Sequence, residues 1–317
     1  MAKRDEDKPT VLRTILTIIG ILSGVVSLLF FLLILFAVFS AVGGPSAVSG
    51  NVAVIPIHGI IGQSSGAGAF SDGGVSSRSV RDLIAQAEAD ESIKAVVFDI
   101  DSPGGTPVAS EEIMQAIREM KKPSVALVHE IGASGAYWVA SATDKIYASR
   151  MSLLGSIGVV ASYIEFAGTL ERYNATYRSL TAGEFKDSGS PYKHLTPREE
   201  QMFDVQLDKM HAYFIQSVAE NRGLPVDKVK KIATGWVYLG QESLELGLID
   251  SIGNEDDVTA YLEESLGEPV EYAEYSAPLS FLENAFGVFK NVPFEVGKGI
   301  GVSLTTPRVE TIPSVYT

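Results

Sequence analysis

Hydrophobic residues form one long uninterrupted run near the N-terminus of this chain. Residues Ile15–Phe39 are almost wholly apolar, and no Asp, Glu, Lys or Arg occurs between Thr14 and Ser71. A helix over this run, at about 1.5 Å per residue, exceeds the roughly 30 Å hydrocarbon core of a bilayer. The run is also longer than the ~7–15 apolar residues of a cleaved signal peptide. We therefore expect a retained transmembrane anchor over residues 15–42.

Positive charges precede this run and predict its orientation. Lysine and arginine beside a membrane span stay on the cytoplasmic side, and the first 14 residues contain Lys3, Arg4, Lys8 and Arg13. We expect a cytoplasmic N-terminus at residues 1–14, a single pass through the cell (plasma) membrane and an extracytoplasmic soluble part. The small-residue stretch at 43–51 predicts a linker.

Beyond the linker, short β-branched runs alternate with amphipathic segments. The run IKAVVFDI (93–100) is typical of a strand buried on both faces, whereas residues 77–89 repeat apolar side chains at helical spacing. This alternation predicts an α/β domain with largely parallel strands over residues 52–275, followed by a tail over 276–317. The predicted strands are 52–61, 93–100, 124–130, 145–149, 156–163 and 175–182. The predicted helices are 77–89, 110–120 with Ser110 as its cap, 135–142, 165–173, 197–221 capped by Thr196, 226–233, 241–246 and 254–265.

Composition narrows the possible chemistry. The chain has 317 residues, of which 46% are hydrophobic and 20% charged, as expected for a globular protein with a sizeable core. Its net charge of −14 repels nucleic acid, so no nucleic-acid partner is expected. The absence of cysteine excludes disulfides, a thiolate nucleophile and a cysteine metal site.

The histidines do not form a recognisable metal motif. His129-Glu130 begins like a zincin motif, but Ala133 occupies the position of the second histidine ligand. The other histidines are scattered one per segment, at His58, His194 and His211. We expect neither a metal nor a cofactor.

Asp99 and Asp101 lie on the same side at the end of a predicted strand. Paired carboxylates are compatible with glycoside chemistry. The sequence favours a simpler interpretation, in which one of them hydrogen-bonds the backbone of the following loop.

Ser134 follows a predicted strand and precedes a predicted helix, in the stretch GASGAYWVAS. A strand–turn–helix junction exposes a serine hydroxyl at the end of a sheet, and the next N–H can face a developing oxyanion. Small residues at the start of a buried helix would explain the same stretch. Taken alone, it leaves both interpretations open.

A serine nucleophile needs a base, and Lys186 is the best-placed lysine. Lysine has an ordinary pKa of about 10.4, which burial can lower by several units, so that the neutral amine can accept a proton. Lys186 lies between Gly183 and the turn at 189–191. An ordinary exposed lysine beside Asp187 is the competing interpretation.

Taken together, the motifs resemble the short form of the signal peptide peptidase A (SppA) family. Besides the single anchor, the matching elements occur in family order over roughly residues 50–255: DIDSPGG, EIGASGAYWVAS, LLGSIGV, EFKDSGSPY, a long helix and WVYLGQESLELGLIDSIG. The resemblance implies a Clp-protease/crotonase-type fold and a serine protease with a Ser-Lys dyad. In the family's short forms, adjacent protomers of a homo-oligomeric ring share the dyad.

The resemblance also implies roles for individual residues. Ser134 matches the nucleophile and Lys186 the general base, while Ser156 matches the serine that hydrogen-bonds the lysine amine. The oxyanion-hole region matches backbone groups of Gly104, Gly105 and Gly135.

The expected function is hydrolysis of peptide bonds through an acyl-enzyme, in apolar segments such as remnant signal peptides. Two alternatives stay open at this point. One is a crotonase-type enzyme that holds a thioester enolate with two backbone N–H groups. The other is a membrane scaffold whose site is inactive.

Overall fold

The computed structural model describes residues 8–42, 50–63 and 74–275, and the chain divides into two compact units, Met1–Ser49 and Gly50–Thr317. In the first unit, helix α1 spans Lys8–Val42. Its window Leu16–Leu33 has a mean hydropathy of 2.6 and is long and apolar enough to cross a membrane. The expected N-terminal apolar helix is therefore present. The tail predicted over 276–317 lies outside the described residues.

The second unit is an α/β domain, as the alternating pattern predicts. Its strands are β1 (Val52–His58), β2 (Ile61–Gly62), β3 (Val75–Ser76), β4 (Ala95–Ser102), β5 (Ser124–Ala133), β6 (Lys145–Ala148), β7 (Leu153–Gly155), β8 (Val237–Leu239), β9 (Ser251–Ile252) and β10 (Tyr272–Glu274). Its helices are α2 (Ser77–Ala89), α3 (Pro107–Glu119), α4 (Gly135–Ser141), α5 (Ala167–Arg172), α6 (Pro197–Arg222), α7 (Val226–Ile232), α8 (Gly240–Leu246) and α9 (Glu255–Leu266).

One sheet organises this domain. Strands follow the order β10-β1-β4-β5-β6-β9, and all of these pairs are parallel. Strand β7 pairs parallel with β5 beyond the end of β6, and β8 pairs antiparallel with β7. Because parallel strands are covered on both faces, β4 is buried at six of its eight positions. The carboxyl ends of β4, β5 and β7 consequently meet at one edge.

Helices cover the two faces of the sheet. Helix α9 packs Val258 and Leu262 against Val97 of β4 and Val125 of β5. Helix α3 packs against both α2 and α4, while α2 also contacts β1 and α4 contacts β4. Apolar burial of this kind contributes about 25 cal/mol per Å² and stabilises the junctions that follow β4 and β5.

The helix predicted from Ser110 begins earlier than expected. Thr106 is the N-terminal cap and Pro107 the first helical residue, whose fixed φ suits that position. Ser110 is therefore inside α3, fully buried, with its Oγ donating to the Thr106 carbonyl at 3.1 Å. The capping prediction for Ser110 was wrong because the proline signal three residues earlier determines the start.

The strands predicted at 156–163 and 175–182 are also absent from the described structure. The nearest described strand is β7, which ends at Gly155, and the Ser156 N–H then donates to the carbonyl of Trp236, the residue before β8. Val160 is 85% exposed. A β-branched run forms a strand only where a partner edge is available, and here the chain leaves the sheet.

Truncation of the core on α3 should destabilise the domain. Ile113 is fully buried, whereas Val108 on the same helix is 56% exposed. We expect Ile113→Ala to lower the free energy of unfolding by about 2–5 kcal/mol, and Val108→Ala by no more than about 0.5 kcal/mol. Denaturant unfolding of the two variants in parallel measures the difference, and equal losses would contradict the assigned core.

Candidate active site

Ser134 lies at a sharp junction between β5 and α4. Its backbone has φ 53° and ψ −124°, a conformation that is costly for a residue with a side chain and persists only where neighbours hold it. Two hydrogen bonds do so: the Ser134 N–H donates to the Gly155 carbonyl at 2.8 Å, and the Trp138 N–H donates to the Ser134 carbonyl at 3.0 Å. Ser134 is only partly buried. The junction therefore presents a serine side chain at the carboxyl edge of the sheet, as the sequence predicts.

A second junction, after β4, lies beside the first. The buried Ser102 hydroxyl donates to the Gly59 carbonyl at 2.6 Å and accepts the Gly104 N–H at 3.1 Å. Gly104 has φ +97°, and a Cβ there would lie 2.6 Å from Gly135 N and 3.0 Å from Ser134 Cβ. Only glycine allows this close approach of the loop to the serine.

The backbone N–H groups of Gly105 and Gly135 have no hydrogen-bond acceptor among the residues that the structure describes. The two groups are neighbours, since a Cβ built on Gly135 would lie 3.2 Å from Gly105 N. Unpaired N–H groups next to a serine hydroxyl are the donors that stabilise an oxyanion. The structure thus brings together Ser134 and the three glycines named from the sequence.

Ser156 occupies the equivalent position on the adjacent strand. Ala133 and Gly155 are paired across β5 and β7, so that Ser134 and Ser156 each follow one member of the pair. Paired strands lie about 4.8 Å apart. Ser156 also has a positive φ, of 51°, and is partly exposed.

Strand pairing and close packing bring the other predicted site residues together, but neither connects Lys186 with them in the described part of the chain. Its side chain is exposed, and no hydrogen bond connects it to Ser134 or Ser156 within the described residues. It lies in consecutive turns in which the Lys186 N–H donates to the Gly183 carbonyl at 3.2 Å and the Ser188 N–H to the Phe185 carbonyl at 3.1 Å.

A buried carboxylate near Lys186 was missed by the sequence analysis. Glu199, on the first turn of α6, is 4% exposed and accepts hydrogen bonds from Lys193 Nζ at 2.7 Å and Ser188 Oγ at 2.7 Å. Its other oxygen accepts from the Thr196 N–H at 2.9 Å and Oγ1 at 3.0 Å. The signal that could have revealed Glu199 is the capping-box pattern, which places an acid three residues after a threonine cap.

These contacts shift the pKa of both partners in the direction that favours the charged form. Lys193, then the Thr196 N–H and Ser188, hold the pKa of Glu199 at about 2, below its ordinary 4.5. The Glu199 carboxylate, with the charge of Asp187, raises the pKa of Lys193. Lys193 is therefore held as an ammonium, unsuited to accept a proton.

Asp99 and Asp101 contact different neighbours. Asp101 accepts a backbone hydrogen bond, although from Ile131 of β5 at 3.2 Å and not from the loop that follows it. Asp99 lies between two imidazoles, His58 at 3.0 Å and His129. Sequence analysis treated these histidines as isolated because they are 71 positions apart and meet only through the pairing of β1, β4 and β5. Across the described ranges, no group of three or more His, Asp or Glu could hold a metal ion.

Comparisons with known proteins point to proteases. Residues 116–268 match the model of peptidase family S49. The chain is 34% identical over 223 residues to a putative protease of Methanocaldococcus jannaschii, an alignment that covers 69% of this chain and 71% of that protein. It is 30% identical over 212 residues to a putative signal peptide peptidase SppA of Enterococcus faecium, covering 65% of this chain and 61% of the relative.

Longer relatives are matched over a smaller share. Protease 4 of Salmonella typhi is 32% identical over 219 residues, which is 68% of this chain and 35% of that protein. Among solved structures, a ClpP1 mutant from Listeria monocytogenes is similar with a TM-score of 0.41 and 16% sequence identity, covering 64% of this chain and 92% of that one.

The close approach at Gly135 predicts a specific steric conflict. A Cβ on Gly135 would lie 2.2 Å from the Oγ of buried Ser110. We expect Gly135→Ala to destabilise the protein by about 1–3 kcal/mol, as overpacking does, and Ser110→Ala to restore part of the loss in the double variant. Thermal unfolding measures both, with Gly168→Ala as control because nothing lies within 4 Å of its added Cβ. A Gly135→Ala variant as stable as wild type would contradict the contact.

The depressed pKa of Glu199 predicts a pH-dependent stability. Above its ordinary pKa of 4.5 the carboxylate is ionised in both the folded and unfolded states, and its stabilising contribution is complete. As the pH falls from 4.5 towards 2, the unfolded state binds the proton first, so the contribution is lost. We expect wild type to lose more stability over this window than Glu199→Gln, measured by urea unfolding. The exposed neighbour variant Glu200→Gln should keep the wild-type slope, and identical slopes for all three proteins would show that the contribution is absent.

Proposed function

Because this chain belongs to peptidase family S49, and is a serine-type protease on that ground, we propose that Ser134 is its nucleophile and Lys186 its general base. The observation that carries the proposal is the β5–α4 junction, where Ser134 has φ 53° beside the unpaired N–H groups of Gly105 and Gly135. A nucleophile and two oxyanion donors at one sheet edge are the parts that acyl transfer needs.

The reaction follows from this arrangement. Ser134 Oγ attacks the peptide carbonyl while the neutral amine of Lys186 takes its proton, and the N–H groups of Gly105 and Gly135 stabilise the oxyanion. Lys186 then protonates the leaving amine, and the acyl group stays on Ser134 Oγ. Water, deprotonated by Lys186, hydrolyses this ester and regenerates the hydroxyl. In this scheme Ser156 accepts or donates a hydrogen bond at the lysine amine and orients it.

Other bases are less suitable. Lys193 is bound to Glu199 and Asp187, with a raised pKa. His58 and His129 share the carboxylate of Asp99, and His211 contacts the Ile157 carbonyl at 3.2 Å. Lys186 has no ion-pair partner among the described residues, so its amine is available to a serine.

We further propose that the dyad forms between copies of the chain, in a homo-oligomeric ring. Within one chain Lys186 is exposed and makes no hydrogen bond to Ser134 in the described part. The segment that leaves the sheet after β7 and contains Lys186 also has exposed large hydrophobic side chains. Ile164 is 72% exposed, Tyr173 is 76% exposed and Leu180 is 100% exposed. An exposed apolar surface of this kind favours a protein partner.

The proposed substrates are peptides with apolar segments, such as remnant signal peptides. Two features support this substrate class: the apolar helix α1, which we propose anchors the enzyme in the cell membrane with a cytoplasmic N-terminus, and the Enterococcus faecium relative described as a putative signal peptide peptidase. An enzyme anchored in the membrane meets such peptides where they are released.

Substitution of either dyad residue should abolish turnover. We expect Ser134→Ala and Lys186→Ala each to lower kcat/KM by about 10³-fold or more, since a nucleophile and its base act as one unit. Peptide hydrolysis by detergent-solubilised full-length protein measures this, with Lys231→Ala, a substitution of an exposed lysine on α7, as the lysine control. Wild-type turnover in either dyad variant would refute the assignment, and mass spectrometry should locate an acylating serine reagent on Ser134. Binding of a coenzyme A thioester without hydrolysis of peptides would favour the crotonase-type alternative.

Mixing the two inactive variants tests where the dyad forms. If Lys186 of one copy serves Ser134 of another, assemblies that contain both variants regain a fraction of wild-type activity. A dyad within one chain predicts no recovery, because every chain then lacks one member. Co-expression with two different affinity tags selects the mixed assemblies, and their mass in detergent reports the number of copies.

A further inference from the structure

We propose that Glu199 is a positioning residue for Lys186, acting through the turn that contains the lysine. The inference rests on the proposed role of Lys186 and adds to it a residue that touches no substrate. Two sets of contacts carry it. Glu199 accepts hydrogen bonds from residues that follow Lys186 in the sequence, and the neighbouring Arg198 contacts residues that precede it.

Glu199 ties the turn after Lys186 to the start of α6. One carboxylate oxygen accepts from Ser188 Oγ and Lys193 Nζ, both at 2.7 Å, and the other accepts from the Thr196 N–H and Oγ1. Its side chain is only 5% exposed. A buried carboxylate is stable only while such donors surround it, so the contacts restrict the loop between Lys186 and α6 to one arrangement.

The first of these donors is directly coupled to Lys186. Ser188 closes a turn with Phe185 through a 3.1 Å backbone hydrogen bond that spans Lys186. Displacement of the Ser188 side chain therefore changes the backbone from which the lysine extends. A displacement of about 1 Å at a catalytic group can lower a rate by 10²-fold.

Arg198 holds the segment that precedes the lysine. Its guanidinium lies 4.9 Å above the Phe185 ring, and its Nη1 contacts Glu184 Oε1 at 2.7 Å. Consecutive residues on the first turn of α6 thus contact the chain on both sides of Lys186. One turn later, Phe203 packs at 3.3 Å from the position of a Cβ on Gly189. Helix α6 is consequently the support that determines where the lysine projects.

The test compares Glu199→Gln with Glu200→Gln in the full-length protein. Both substitutions remove one charge from the first turn of α6, but only Glu199 accepts hydrogen bonds from the loop. The glutamine amide cannot accept at its nitrogen, so two donors lose their partner. We expect Glu199→Gln to lower kcat by about 10- to 100-fold with a smaller change in KM, and Glu200→Gln to leave both unchanged. Equal, small effects of the two substitutions would overturn the inference.

A double-variant cycle separates positioning from loss of stability. The rate of Ser134 acylation by a fluorophosphonate is measured in wild type, Glu199→Gln, Lys186→Ala and the double variant. If Glu199 acts through Lys186, its substitution slows acylation in the presence of the lysine and has no further effect in its absence. An equal slowing in both backgrounds would reject the positioning role.

The same cycle distinguishes failure of this inference from failure of the proposed function. If Lys186→Ala retains wild-type acylation and turnover, the proposed dyad is wrong. If Lys186→Ala is inactive and Glu199→Gln is fully active, only the positioning role is wrong. Should Glu199→Gln not fold, Ser188→Ala removes one hydrogen bond and retains the charge pair with Lys193. It should then lower kcat by a smaller factor without a change in the unfolding temperature, and an unchanged kcat would count against the proposal.

Discussion

The geometry of this site depends on the hydrogen bond from the Ser134 N–H to the Gly155 carbonyl. It continues the pairing of β5 with β7 by one residue past the end of β5 and holds Ser134 in a conformation that side chains rarely adopt. Since β5 also pairs with β4, the same sheet places the Gly104–Gly105 loop next to the serine. The edge exists because parallel strands end together, and crossover helices α3 and α4 begin directly beyond it.

The second constraint at this edge is the need for glycine at three positions, where neighbouring atoms pack too closely for a side chain. Cβ atoms on Gly104, Gly105 or Gly135 would approach Gly135 N, the Ile61 carbonyl oxygen and Ser110 Oγ to 2.6, 1.9 and 2.2 Å. Backbone N–H groups can therefore be adjacent and unpaired, which is costly in an ordinary fold and useful where an oxyanion develops. The sheet thus holds Ser134 and these N–H groups next to one another.

The lysine is supported by a different part of the chain. After β7 the backbone leaves the sheet. The segment around Lys186 is held instead by turns, by the capping box at Thr196 and by hydrogen bonds to the buried Glu199. Large apolar side chains of this segment are exposed in a single chain, whereas Ala133 and the residues of α4, on either side of the partly exposed Ser134, are buried. Ser134 thus lies at the edge of the sheet, and Lys186 lies on a segment outside the sheet. This arrangement fits an enzyme whose proposed dyad is completed when copies of the chain assemble.

The local pattern of residues determined several parts of this protein by itself. The apolar helix α1, the buried strand β4, the helix α2 over 77–89 and the start of α6 after Thr196 were predicted correctly, since periodicity and capping are local properties. The turn at Ser134 and the nearby glycines were also visible as small residues between a strand and a helix. The roles of Ser134 and Lys186 remain predictions, supported by family membership.

Tertiary structure decided what no local pattern contains. The β-branched runs at 156–163 and 175–182 lack a partner edge and form no strand. His58 and His129 meet on Asp99, and Lys193 and Ser188 meet on Glu199, only after the chain has folded. Strand pairing and carboxylate burial depend on which residues become neighbours when the chain folds. The spacing of residues along the sequence does not specify this.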